Sequence, residues 1–171
     1  MPTPTWDKIA TITKTSTGTI DFTAIPSTYT DIVVTGQLRG TGAGSAVNCW
    51  YRFNGDSAST NYVDARAYAT SGGSFGNDTT TTGIGENYVG AIHGAGATAG
   101  FFTPINIHIN GYANSSIYRH SFLMQTSWGY EAIYRQGVWK NTSAAINQIT
   151  FLTSASFEIG STLTLWGIRS A

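Results

Sequence analysis

One pattern runs through this chain from end to end: apolar side chains recur at every second residue, and no window of a dozen residues keeps them at helical spacing. In "PINIHIN", Ile105, Ile107 and Ile109 fall on one side and Asn106, His108 and Asn110 on the other. The first side belongs to a core; the second is wet or lies in an interface. In "STLTLWGI", Leu163 and Leu165 alternate with Thr162, Thr164 and Trp166. The chain is therefore predicted to be all-β. The predicted strands are Ile9 to Thr13, Thr19 to Phe22, Ile32 to Leu38, Val47 to Phe53, Tyr62 to Tyr68, Tyr88 to Ile92, Pro104 to Ile109, Ile117 to Met124, Ala132 to Trp139, Ile146 to Leu152 and Leu163 to Ile168. Ala69 to Asn87 has only Phe75 and Ile84 as large apolar anchors and reads as a long loop or arm; "HGAGATAG" is a second loop. No internal repeat or linker divides residues 1–171, so one domain is expected. About ten short antiparallel strands joined by Gly-rich turns select a single β-sandwich of jelly-roll type, with a closed β-barrel as the alternative.

The surface of such a sandwich must be polar yet almost uncharged. Thr, Ser, Gly and Asn make up 72 of the 171 residues, while the four charged types reach 11% and cancel, nine against nine. That balance argues against nucleic acid or an anionic membrane surface as partner, and it tolerates self-association. Cys49 alternates with Val47, Tyr51 and Phe53 and is expected to be a buried free thiol. The N-terminal "MPTPTWDKIATITK" lacks the basic start and apolar core of an export signal, and no run approaches the ~18 apolar residues of a membrane span, so a soluble protein is expected. The sequons at Asn77, Asn114 and Asn141 follow from a Thr- and Ser-rich chain.

Motifs that carry chemistry are sparse. His93, His108 and His120 have no partner at metal-pair spacing. "GTGAGS" lacks the lysine of a phosphate loop, and "GAGATAG" has the wrong spacing for a dinucleotide fingerprint. The G-x-S-x-G spacing occurs at Gly72 to Gly76, but inside the predicted loop and not between a strand and a helix, and no Ser, His and acid combination stands out around it. Glycoside hydrolysis would need two facing carboxylates, for which the candidates are Asp56, Asp64, Asp78, Glu86, Glu131 and Glu158. No catalytic, metal or cofactor site is assigned. "YRFNGDSASTNY" could suggest a calcium loop through Asn54, Asp56 and Asp64, but the closing Glu is missing, and Asn-Gly between alternating segments signals a type I′ hairpin turn. The aromatics remain. Trp50 beside Arg52, Trp128 and Tyr130 around a turn Gly, and His108 are candidates for an interface or for stacking on a glycan, and Trp166 also sits opposite the apolar phase of its strand.

Read in order, "IDFTAIPSTYTDIVV", "YRFNGDSASTNY", "INGYANSSIYRHSFL" and "SAAINQITFLTSASFEIGSTLTLWGIRSA" resemble a family of small virion proteins of tailed bacteriophages. The likeness lies in an apolar-Pro lead into a strand, the Arg-Phe-Asn-Gly-Asp hairpin, a Tyr-Ala-Asn turn, an Ala-Ala-Ile strand and a Gly-Ser-Thr-apolar close. The chain departs from it in Lys140 and Asn141 and in the long "GGSFGNDTTTTG". The resemblance implies a non-enzymatic β-sandwich on the outside of a particle. The first strand begins within about eight residues of Met1. That leaves no room for a fibre shaft, so a capsid decoration or cement subunit is expected first, and a small tail or baseplate subunit, with host-glycan binding, second. The expected partners are a major capsid protein or tail proteins and further copies of itself, as a homotrimer using "INIHIN" or the Ala69 to Asn87 arm.

Overall fold

The computed structural model describes residues 5–80, 85–127 and 131–169. Its strands are β1 (Trp6–Thr13), β2 (Ile20–Phe22), β3 (Asp31–Leu38), β4 (Ala46–Phe53), β5 (Tyr62–Thr70), β6 (Phe75–Thr80), β7 (Asn87–His93), β8 (Thr103–Asn110), β9 (Arg119–Ser127), β10 (Glu131–Trp139), β11 (Ile149–Thr153) and β12 (Thr162–Ile168). They form an eight-stranded sheet in the order β1-β12-β3-β8-β9-β10-β5-β6 and a four-stranded sheet in the order β2-β11-β4-β7. Each sheet has two edges, so the structure is a sandwich and the barrel alternative does not hold.

The pairing is that of a rolled-up hairpin. β1 lies beside β12, β2 beside β11, β3 beside β8 and β4 beside β7, all antiparallel, and successive strands of each half alternate between the two sheets. This is the jelly roll expected from the sequence. Two hairpins are added to it. β5–β6 interrupts the passage from β4 to β7, and β9–β10 the passage from β8 to β11, and both extend the larger sheet beyond β8. That four-stranded extension carries the surface of interest.

The alternation read from the sequence packs the core. Ile32, Val34, Ile105, Ile107, Leu163 and Leu165 face Ile20, Phe22, Tyr51, Phe53, Ile149 and Phe151 across the sandwich, each such side chain worth roughly 1.5–3 kcal/mol when fully buried. Cys49 is buried among them, and its burial pushes the thiol well above its ordinary value, so it is an inert packing residue. Asn54 and Gly55 have φ of 51° and 67°, the left-handed pair that a type I′ turn requires.

Two sequence readings need correction. Residues 75–80, read as part of a loop or arm, form strand β6, which pairs with β5 from Ala69↔Phe75 onward. With Phe75 as its one large apolar residue, β6 is held by backbone pairing and by Asp78 on Arg66, and hydrophobic periodicity has little there to report. The strand placed from Ile146 begins at Ile149; Ile146 is buried, but its N–H donates to the carbonyl of Tyr112 and anchors a connection.

Arg39, 3% exposed, ties the "HGAGATAG" loop down. Its guanidinium donates to the carbonyls of Ala97, Thr98 and Phe101 at 2.9–3.0 Å and pairs with Glu158 at 2.6 Å. Arg39→Ala removes all of these, so amide exchange over residues 97–101 is expected to accelerate by at least tenfold, because a loop without apolar anchors has little else to hold it. Exchange unchanged from wild type would show that the backbone alone fixes the loop.

Candidate interaction face

The side chains of the extension are sorted in an unexpected way. Looking outward from β8, β9, β10, β5 and β6 are Pro104, Asn106, His108 and Asn110; His120, Phe122, Met124 and Thr126; Ala132, Tyr134, Gln136 and Val138; Val63, Ala65, Ala67 and Ala69; and Phe75, Asn77 and Thr79. Among the described residues of these five strands no Asp, Glu, Lys or Arg faces outward. Phe75 is 85% exposed, Met124 61% and Tyr134 52%. Between them runs an open groove of about 920 Å³, floored by Ala67, Ala69 and Ala132, with Asn106 and Thr126 among its few polar walls.

The charged residues of the same strands take the opposite phase: Asp64, Arg119 and Arg135 are buried, and Arg66 pairs with Asp78 part-exposed at the β5–β6 edge. Where β7 packs across the inner side of β9, β10 and β5, Arg135 (3% exposed) meets Asp64 (fully buried) at 3.7 Å and lies 4.7 Å over the Tyr88 ring. Asp64 also accepts the Tyr88 N–H at 2.9 Å. Burial nevertheless dominates and raises its carboxyl to about 6, against the amide and Arg135, which favour the ionised form. Nearby, Gln125 donates to the carbonyl of Ala91, Glu131 accepts the Ala91 N–H, and the Tyr51 and Ser121 hydroxyls bond at 2.5 Å. Glycines make room for this seam: a Cβ on Gly90 would come within 2.3 Å of the Gln125 side-chain oxygen Oε1, and one on Gly137 within 2.9 Å of both Asn87 and the Tyr51 hydroxyl.

The candidate residues from the sequence do not converge. Trp50 lies half-buried on the outer side of the small sheet, its ring 5.8 Å from Tyr88, and Arg52 is half-buried there in an ion pair with Glu86. His108 is on the opposite surface of the molecule, on the uncharged face, with Nε2 3.1 Å from Asp31. Trp128 and Tyr130 lie outside the described residues. Trp166 does face outward, donating to Thr35 at 2.8 Å and meeting Trp6 edge-on. The six candidate carboxylates are each engaged: Glu86 by Arg52, Glu158 by Arg39, Asp78 by Arg66, Asp64 as described, Glu131 by the Ala91 amide, and Asp56 by four donors.

Phe122, Met124 and Tyr134 were not singled out in the sequence, and Phe75 was named only as an anchor of the long loop or arm. A signal was present: on β9 and β10 one phase of the alternation holds Arg119, Glu131 and Arg135, and the other holds no charge. Compared with models of protein families, with curated proteins and with solved structures, the chain matches none. No helix among the described residues is long and apolar enough to cross a membrane.

Proposed function

We propose that this chain is a non-enzymatic structural subunit of a tailed-phage particle, a decoration or cement protein seated as a homotrimer on the outside of an assembled capsid lattice. The observation that carries the reading is the uncharged, partly apolar outer face of β8 and the four-stranded extension beside it. Contiguous apolar surface of this kind marks contact with another protein. The sequence resemblance supplies the setting, and the engagement of the six carboxylates by structural partners supports a binding role over hydrolysis. Closed cyclic symmetry satisfies every subunit's interface at once, and a three-fold arrangement suits an external lattice site. Cosedimentation of the purified protein with purified capsids and with purified tails tests the proposal. Binding to capsids is expected; binding to tails alone would move the subunit to the tail or baseplate, and binding to neither would overturn the assembly role.

A further inference from the structure

We infer that the outer face of β8, β9, β10, β5 and β6 is where copies of this chain meet, and that the groove on it is filled by a second copy. The inference rests on reading the chain as an assembly subunit, but not on which particle it joins. Three observations select this occupant. First, the groove has no ionic group among its lining residues to hold a charged ligand; its floor is alanine, Met124, Tyr134 and Phe75 rise from it, and Thr35, Asn106 and Thr126 give it a limited polar wall. Second, a copy of this chain brings a surface of matching chemistry. Two faces without Asp, Glu, Lys or Arg on their five strands approach with little like-charge repulsion, and the one carboxylate at the β8 border, Asp31, is already bonded to His108, Asn110 and the Gly111 N–H. The outer side of the small sheet differs, since Asp21 and Arg52 sit on its strands.

Third, the shape and size are those of a ridge-into-trough contact, which copies can repeat head-to-tail around a three-fold axis or close as a two-fold pair. The alanines of β5 and Ala132 form a trough between two ridges, Met124 with Tyr134 on one side and Phe75 on the other. A ridge on one copy can therefore enter the trough of the next. Five strands spaced ~4.8 Å apart, each of about eight residues at ~3.3 Å, present roughly 600 Å² per copy. Two such faces together bury ~1,200 Å², which reaches the range of specific, stable protein interfaces. The face also runs out to β6, which among the described residues has no strand on its far side and carries no lysine or proline to block further pairing.

Light scattering on the full chain at tens of micromolar, with Met124→Glu and Tyr134→Glu as variants and Ile159→Glu as control, tests the inference. Met124 and Tyr134 are exposed in the single chain, so both variants should keep the wild-type circular dichroism and a cooperative melt, lowered only by the concentration-dependent stabilisation that association gives the wild type. A glutamate buried against a second copy should weaken association by at least about a hundredfold. The wild-type protein and Ile159→Glu, whose added charge lies at an exposed site off this face, should have the mass of an oligomer, and both face variants the monomer mass of 18.2 kDa. A monomeric wild type, or two folded face variants that keep the wild-type mass, would overturn the inference. A dimer would sustain the face while removing the three-fold placement. Oligomers that bind no capsid or tail would sustain the face and sink the virion role, whereas a monomer that still binds particles would do the reverse.

Discussion

Replacing Asp56 with alanine should lower the melting point by roughly 6–12 °C, a loss of about 3 kcal/mol in a domain of this length. Asp56 follows the Asn54-Gly55 turn, and its carboxylate gathers four donors: the Ala58 N–H at 2.9 Å, Asn61 Nδ2 at 2.8 Å, Trp139 Nε1 at 2.8 Å and Asn141 Nδ2 at 3.1 Å. Through them one side chain joins the β4–β5 connection to the end of β10 and the segment after it. Trp139 is 1% exposed, packed 5.5 Å from the Phe53 ring and 4.4 Å beneath the Arg119 guanidinium. Losing its acceptor strands a buried indole N–H, which costs more than the bond itself contributes. Asp56→Asn keeps the shape and part of the bonding, so its loss should be about half as large. Burial opposes the ionised carboxyl, but the four hydrogen bonds outweigh it and hold the group below its ordinary value. Its contribution is therefore present above the unfolded-state value near 4 and disappears as the pH falls through the lower folded-state value. Melting curves of wild type and Asp56→Ala should converge in that acid range. Curves that stay a constant distance apart would mean that the side chain acts by packing and not by charge.

Asp64 should show the opposite dependence, in a separate window. Its carboxyl is raised from 3.8 to about 6 by burial between β5, β7 and β10. The native state thus holds this proton more tightly than the unfolded chain does. The stabilising contribution is complete below about 4 and is lost as the pH rises through about 6. A shift of this size corresponds to roughly 1–3 kcal/mol at one pKa unit per 1.36 kcal/mol. Asp64→Asn stands in for the protonated acid and does not titrate. Denaturant unfolding of both proteins at pH 4 and pH 7 should give a wild-type-minus-variant difference that favours the wild type more at pH 4, by about that amount. A difference independent of pH would show that Asp64 keeps an ordinary value. A difference of opposite sign would show that the ion pair with Arg135, 3.7 Å away, outweighs the burial.

These two aspartates mark how far the chain could be read before it was seen folded. Period-2 alternation was enough to place the strands of the jelly roll within a few residues, because most of them bury one phase against an opposing sheet and leave the other more open, as β8 does with Ile105, Ile107 and Ile109 inward and Asn106, His108 and Asn110 outward. Asn54 and Gly55 declared their turn because few other residue pairs accept two positive φ angles in succession. Cys49 announced its burial through its apolar neighbours in phase. The extension was different. On β9, Phe122 and Met124 share one phase and Leu123 and Gln125 the other, so alternation defines two faces without saying which is covered. That choice is made by β7, whose Gly90 lies so close to the sheet that Gln125, Arg135 and Asp64 are enclosed beneath it while Phe122, Met124 and Tyr134 are left outside. Likewise β6 and Phe75 come to border the groove only because two hairpins, interrupting the chain at separate points, pair side by side on the same sheet. Local sequence determines which residues can share a face of a strand. Which face then meets water depends on what long-range pairing lays over it, and no local pattern encodes that.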